Sequence, residues 1–243
     1  MIKVDDLNTF NHTFLSLTSK ICDSACIKVD ANKIFSLTCS SDNTIVIFST
    51  YKQSNEIDGV LHLNIPDLNR LSRTLSCIRD NSINLDVDSN CIRYKSPTVR
   101  FKYHLLEDGI IAVPSVSIDK IKNLDFKYSF RVNKPDILSL IKGSSLVTDV
   151  DKLYFYVEDN HVYAEITDKE TSNTDSYTQK IADQYTGEDS FEQMSISFEI
   201  LRIISSLKFD DICIKVNTDV NVLLFEVEIE NVKHNFICTT YVR

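Results

Sequence analysis

The feature that most constrains this chain is that it repeats itself. Val29, Asn32, Ile34 and Ser36 recur as Val157, Asn160, Val162 and Ala164, each pair 128 positions apart (29 to 157). Ile83, Leu85 and Val87 recur as Ile212, Ile214 and Val216, and Arg73 as Arg202, all 129 apart (83 to 212). Near-equal spacings at three separate places divide the 243 residues into two halves built on one plan.

Hydrophobic periodicity shows what the plan is. Alternating stretches predict strands at Ile27–Val29, Ile34–Leu37, Thr44–Ser49, Ile83–Val87, Val99–Tyr103, Leu153–Val157, His161–Ile166, Ile212–Val216 and Leu223–Ile229. Asp and Asn fill the corners between them, as at Asp30-Ala31-Asn32, Asp88-Ser89-Asn90 and Asp159-Asn160. Four stretches carry helical spacing instead. Asp6–Lys20 lines up Leu7, Phe10, Phe14 and Leu17, and Asp67–Arg79 lines up Leu68, Leu71, Leu75 and Ile78 after Pro66. Lys134–Lys142 opens on Pro135-Asp136 and is expected to stop at Gly143, and Ser197–Lys208 carries Phe198, Leu201, Ile204 and Leu207. The order is helix, strands, helix, strands, twice over.

Between the halves runs Leu105–Leu124, with Leu106, Ile110, Ile111, Val113, Pro114, Val116 and Ile118. A connector of this length without periodicity is usually functional. Its apolar content predicts a strap lying extended along the surface.

Charge separates by element. The chain holds 26 Lys+Arg against 35 Asp+Glu, a net charge of −9. The helical stretches reverse this, with Lys20, Arg70, Arg73, Arg79, Lys134, Lys142, Arg202 and Lys208 against Asp6, Asp67, Asp136 and Glu199. That is eight minus four, or +4, which leaves −13 for everything else. All four acids fall in caps or first turns, where the helix dipole favours them. Beyond those turns the helices carry only positive charge, spaced by polar residues such as Asn8, Asn11, His12 and Ser72. A cationic surface gathered in an acidic protein suits a phosphate backbone, bound without base readout.

Enzymatic signatures are missing. The five His are scattered, and the sequence has no HExxH, GxSxG, GxGxxG or GxxxxGK[ST] pattern. Asp149 with Asp151, or Asp86 with Asp88, could be imagined as metal pairs, but both sit at strand ends or turns, where turn chemistry explains them better. The seven Cys form no CxxC pair, which suits reduced thiols in a cytosolic compartment, and Cys26, Cys213 and Cys238 are expected in the core. No apolar run reaches the ~18 residues of a membrane span, and the acidic start Met1–Asp6 is unlike a signal peptide.

Together these features resemble the DNA sliding clamps, the ring-shaped processivity factors of the PCNA and T4-type phage group. Ala25-Cys26-Ile27 through Leu37-Thr38, then Thr44–Phe48, is similar to that family's first hairpin and edge strand, and Ile65–Leu71 to the opening of its second helix. The resemblance implies an α+β DNA-clamp fold, with a clamp domain at 1–108, a connector at 109–124 and a second clamp domain at 125–243. It further implies a homotrimeric ring around double-stranded DNA, with Lys20, Arg70, Arg73, Arg79, Lys142, Arg202 and Lys208 facing the DNA. Ile110, Ile111, Val113 and Pro114 would border a pocket for peptides of a DNA polymerase and other clients. A separate clamp-loader ATPase would supply loading energy, and no cofactor, catalytic residue or metal is implied. The alternatives are a non-ring polymerase accessory factor of the same fold and a β-rich viral structural or assembly protein with no DNA role.

Overall fold

The computed structural model describes residues 1–147, 150–171, 173–187, 190–191 and 193–240; Asp149, weighed above as half of a carboxylate pair, lies outside them. The chain forms two compact units, Met1–Val116 with Glu228–His234, and Ser117–Val227 with Asn235–Arg243.

The first unit contains β1 (Ile2–Val4), a helical run over 7–21, β2 (Ala25–Val29), β3 (Lys33–Cys39), β4 (Ile45–Lys52) and β5 (Leu61–Ile65). A helix at Leu68–Leu75 follows, then β6 (Ile83–Val87), β7 (Cys91–Lys95) and β8 (Arg100–His104). Two antiparallel sheets result, ordered β1-β6-β7-β8 and β5-β2-β3-β4. Both helices bury one stripe against them. Phe10, Phe14, Leu68, Leu71 and Leu75 share a single core with Ile2, Ile27, Ile34, Tyr51 and Leu85. Truncating one of these leucines to Ala costs about 2–5 kcal/mol in comparable cores.

Asp6 caps the 7–21 run by accepting the Thr9 N–H at 3.0 Å. The run widens to a π-helix over Phe10–Leu15 before returning to α-helix at Ser16–Ile21. The wider turn puts Phe14 and Leu15 into the core together and also turns Asn11 inward, to 2% exposure. Asn11 Nδ2 donates to the Ser72 carbonyl and to Ser76 Oγ, tying this run to the Leu68–Leu75 helix. The sequence reading had placed Asn11 on the charged outer face.

The second unit repeats the plan with β9 (Tyr128–Asn133), a helix at Lys134–Gly143, β10 (Lys152–Glu158), β11 (His161–Ile166), β12 (Tyr177–Ala182) and β13 (Met194–Ser197). The helix Glu199–Ser205 leads to β14 (Asp211–Asn217), β15 (Val222–Ile229) and β16 (Val232–Thr239). The strands run β13-β10-β11-β12 and β9-β14-β15-β16, so adding eight to each strand of the first unit gives the second. Register agrees at corresponding positions, apart from a bulge between β11 and β12 next to Val162. Val4 pairs Ile83 and Val132 pairs Ile212, while Ile34 pairs Tyr51 and Val162 pairs Ala182.

The α-helix Lys134–Gly143 ends at Gly143 as expected and passes into a 3-10 turn over Ser144–Leu146. Packing also requires the glycine, since a Cβ there would lie 2.2 Å from the Tyr177 ring. One expectation about elements is corrected. The connector is not extended throughout, because Ser117 caps a short helix, Ile118–Lys122.

Candidate nucleic-acid interface

Within each unit the two longer helices lie side by side, and the basic residues stand on their outer ends and faces. In the first unit Asn11 makes the link between helices. In the second, the Lys134 ammonium donates to the Leu207 carbonyl and sits 5.0 Å over the Phe209 ring. Lys134, counted with the cationic helix residues on sequence grounds, is thus consumed as a brace between helices.

All seven residues carried over as DNA-facing are exposed: Lys20, Arg70, Arg73, Arg79, Lys142, Arg202 and Lys208. Several are also oriented. The Tyr103 hydroxyl donates to the Asp67 carbonyl at 2.6 Å, and its ring supports the Arg70 guanidinium at 5.8 Å. Arg73 Nε donates to the Asn69 carbonyl at 3.4 Å, one turn back on its helix. Arg202, its counterpart, pairs with Glu199 at 3.2 Å and lies 5.1 Å over Phe198. A surface pair of this kind is worth about 0.2–1 kcal/mol, little enough for a phosphate to displace it.

A second cationic cluster was hidden from a reading that counted charge on helices alone. On the β7–β8 hairpin Arg93 pairs across the ladder with Lys102, and Lys95 with Arg100, and all four are exposed. Asp88 neutralises Arg93 at 2.5 Å. Among the described residues, Lys95 and Arg100 have no ion pair, although like charges directly opposite on a ladder repel.

The connector is anchored at its start and bare beyond. Leu105 N–H donates to the Asn90 carbonyl and Leu106 N–H to the Asn64 carbonyl, both at 2.9 Å. Asn64 Nδ2 holds Asp108 at 2.7 Å. Past this point Ile110 is 60% and Val113 43% exposed, with Ile111 and Pro114 half-buried.

Chemistry elsewhere is structural. Asp88 accepts from the Cys91 thiol and from the N–H groups of Asn90 and Cys91, which with Arg93 hold its carboxyl down at about 2. It is a turn residue. Among the described residues no group of three His, Cys, Asp or Glu is placed to hold a metal ion. Burial pushes the Cys22 thiol up to about 11, the wrong direction for a nucleophile. Cys213, expected in the core with Cys26 and Cys238, is only half-buried. Burial pushes His234 down to about 3, so it stays neutral beside Ser49 Oγ, 2.8 Å from its Nδ1.

The second unit also holds a groove of about 910 Å³ lined by Ser129, Arg131, Asp136, Lys180 and Asp183. Its charges are largely matched, Arg131 by Asp211 and Lys180 by Asp183.

No protein-family model and no curated protein matches the sequence. Solved structures do match the fold. The proliferating cellular nuclear antigen of Entamoeba histolytica superposes with a TM-score of 0.75 at 16% identity, covering 99% of this chain and 98% of that one. The PCNA of A. fulgidus, in a structure where it is bound to the C-terminal region of FEN-1, gives 0.78 at 15% identity over 100% and 99%. The α+β architecture expected from the sequence is therefore the DNA-clamp fold, over the full length of the chain.

Proposed function

We propose that this protein is a sliding clamp, a non-enzymatic ring that encircles duplex DNA and tethers a polymerase and other clients. The observation that carries the reading is the pairing of a twice-repeated clamp fold with exposed basic residues on the helices of both units. Phosphate contacts made by exposed Lys and Arg are weak, salt-dependent and indifferent to sequence. Weak contacts suffice for a closed ring, because leaving the DNA requires opening an interface. A net charge of −9 is compatible with this, since attraction is needed only where the helices meet DNA.

The internal repeat supports assembly through strand edges. In the first unit the tip Glu228–His234 of the β15–β16 hairpin is held at β4, where the Lys52 N–H donates to the Asn231 carbonyl at 2.8 Å. The counterparts of β4 and β16 are β12 and β8. Among the described residues each of these has a single neighbour in its sheet, β11 and β7 respectively. Joining β8 of one copy to β12 of the next is a heterologous contact, which closes into a ring by rotation. Three two-unit copies make the six-unit ring that the clamp resemblance implies, opened for loading by a separate ATPase in the cytoplasm where the DNA replicates. We read residues 109–124 as the connector between clamp domains 1–108 and 125–243. Its Ile110, Ile111, Val113 and Pro114 offer an apolar anchor site for client peptides.

Light scattering across a concentration series tests the assembly. A chain of 27.8 kDa should weigh three times that, about 83 kDa, at micromolar concentration. A monomer persisting to the highest soluble concentration contradicts the ring.

A further inference from the structure

The β7–β8 hairpin carries a charge arrangement that neither the helices nor strand addition uses. Its residues alternate. Ile92, Tyr94 and Tyr103 point into the core shared with Leu68, Leu71 and Leu75, so Arg93, Lys95, Arg100 and Lys102 point out of the opposite sheet face. The sheet and its core thus separate these cations from Arg70 and Arg73 on the helix. Strand addition at β8 would consume backbone groups along its edge and leave side chains on the face free.

Within the hairpin the charge is uneven. Arg93 is neutralised locally, by Asp88 at 2.5 Å and by Asp86, its partner on the ladder. Lys95, Arg100 and Lys102 are exposed and have no ion pair among the described residues. Lys95 and Arg100 face each other directly, and Lys102 lies two residues along β8, about 6.8 Å from Arg100 at the usual strand rise. The turn that presents them is braced. Ser96 N–H donates to the Val99 carbonyl at 2.8 Å, and Val99 N–H donates to Ser96 Oγ at 3.0 Å. Like charges set opposite one another on a ladder destabilise it. The repeat counterpart, β15–β16, avoids that cost, since Lys233 pairs with Glu228 and Glu226 with Lys215.

Three fixed cations without partners suit a row of anions. The surroundings decide which kind. Single-stranded nucleic acid is held by stacking its bases on aromatic rings. Here Tyr94 and Tyr103 are buried, and Phe101 packs against Tyr94 on the core side at 5.8 Å. Peptides dock through an apolar anchor. From β6 to β8 every exposed strand side chain on this face is polar or charged. A duplex phosphate backbone needs neither stacking nor an anchor, only cations at its own spacing. We propose that Lys95, Arg100 and Lys102 form a second phosphate-backbone site, on the sheet face away from the helices, which holds a duplex DNA segment that is not encircled. The site goes beyond the ring reading and does not depend on closure. It gathers DNA at the protein surface through a few salt-screened contacts that release it readily.

The test uses the full-length chain and a short duplex capped at both ends by biotin-bound streptavidin, which cannot thread a closed ring. Binding is followed by fluorescence anisotropy, at a protein concentration where light scattering gives wild type and variant the same molar mass. Wild type should bind the capped duplex at low salt. Lys95→Gln with Arg100→Gln and Lys102→Gln should weaken that binding at least about tenfold and reduce the slope of log K against log salt by about 2 to 3. Arg73→Glu with Arg202→Glu should do the reverse, losing retention on a circular plasmid and keeping the capped duplex. No binding by wild type, undiminished binding by the glutamine variant, or loss with Arg73 and Arg202 instead overturns the outer site. A polyglutamate peptide that needs the same three residues and is not displaced by duplex also overturns it, and reassigns the face to an acidic protein partner. The ring reading fails separately, on molar mass and on retention by the circle.

Discussion

Arg73 and Arg202 occupy one position of the repeat, yet each is held by a different neighbour, Asn69 in one case and Glu199 with Phe198 in the other. Neither belongs to the packed stripe of its helix, which is Leu71 and Leu75 in the first unit and Leu201 and Ile204 in the second. Reversing both to Glu should therefore change stability by no more than about 0.5 kcal/mol. The same change should reduce DNA retention and processive synthesis at moderate salt, and by more than either substitution alone. Reversing Lys28 and Lys215, on strands β2 and β14, is the control and should do far less; equal damage would mean the helices are not the DNA face. Buried His234 gives a pH prediction at the same scale. Its proton affinity falls on folding, from about 6.5 to about 3, so the unfolded chain binds the extra proton between those values. Stability contributed by the neutral ring is complete above pH 6.5 and is lost as the pH falls toward 3, at up to about 1.4 kcal/mol per pH unit. His234→Gln should flatten the acid limb of the melting-temperature profile; an unchanged slope would show that other groups set it.

The helices were the most legible elements, because caps and apolar stripes declare themselves locally. Asp67 caps its helix by accepting the Arg70 N–H at 2.7 Å, and Leu68, Leu71 and Leu75 are buried as their spacing implies. Seven strands went unmarked: β1, β5, β7, β9, β12, β13 and β16. β1 has three residues, too few for a period, and β12 reads Tyr-Thr-Gln-Lys-Ile-Ala, where polar residues break the alternation. β12 also carries a register shift opposite Val162, so its pattern slips within the strand. Gly143 ends its α-helix as helix-stop chemistry implies, but its close approach to Tyr177 is tertiary and invisible in sequence. Helix propensity alone predicts that Gly143→Ala gains up to about 1 kcal/mol. Packing against the ring predicts a loss of about 1–3 kcal/mol instead, and urea unfolding of the variant decides between them. For the connector, replacing Ile111 and Val113 together with Ser should weaken polymerase stimulation and leave the molar mass unchanged. Stimulation that survives undiminished would move the client site elsewhere.

Across the whole molecule the repeat was readable because its spacing survives at paired apolar positions of the ladders. Val29, Ile34 and Ile83 and their counterparts Val157, Val162 and Ile212 are held by strand register. What the repeat does not preserve is charge, and there the average misleads. The −13 assigned to everything outside the helices conceals Arg93, Lys95, Arg100 and Lys102 on one hairpin, since sequence distance does not show which strands share a face. The functional account joins these scales: basic helix faces for phosphate, strand edges for closure, and topology in place of affinity. Its most direct test is retention on DNA whose ends can be opened. Protein incubated at high concentration with a nicked circular plasmid is passed over a sizing column at moderate salt, before and after one restriction cut. The account predicts co-elution with the circle and loss once the DNA is linear; equal retention on both forms, or none on either, would contradict it.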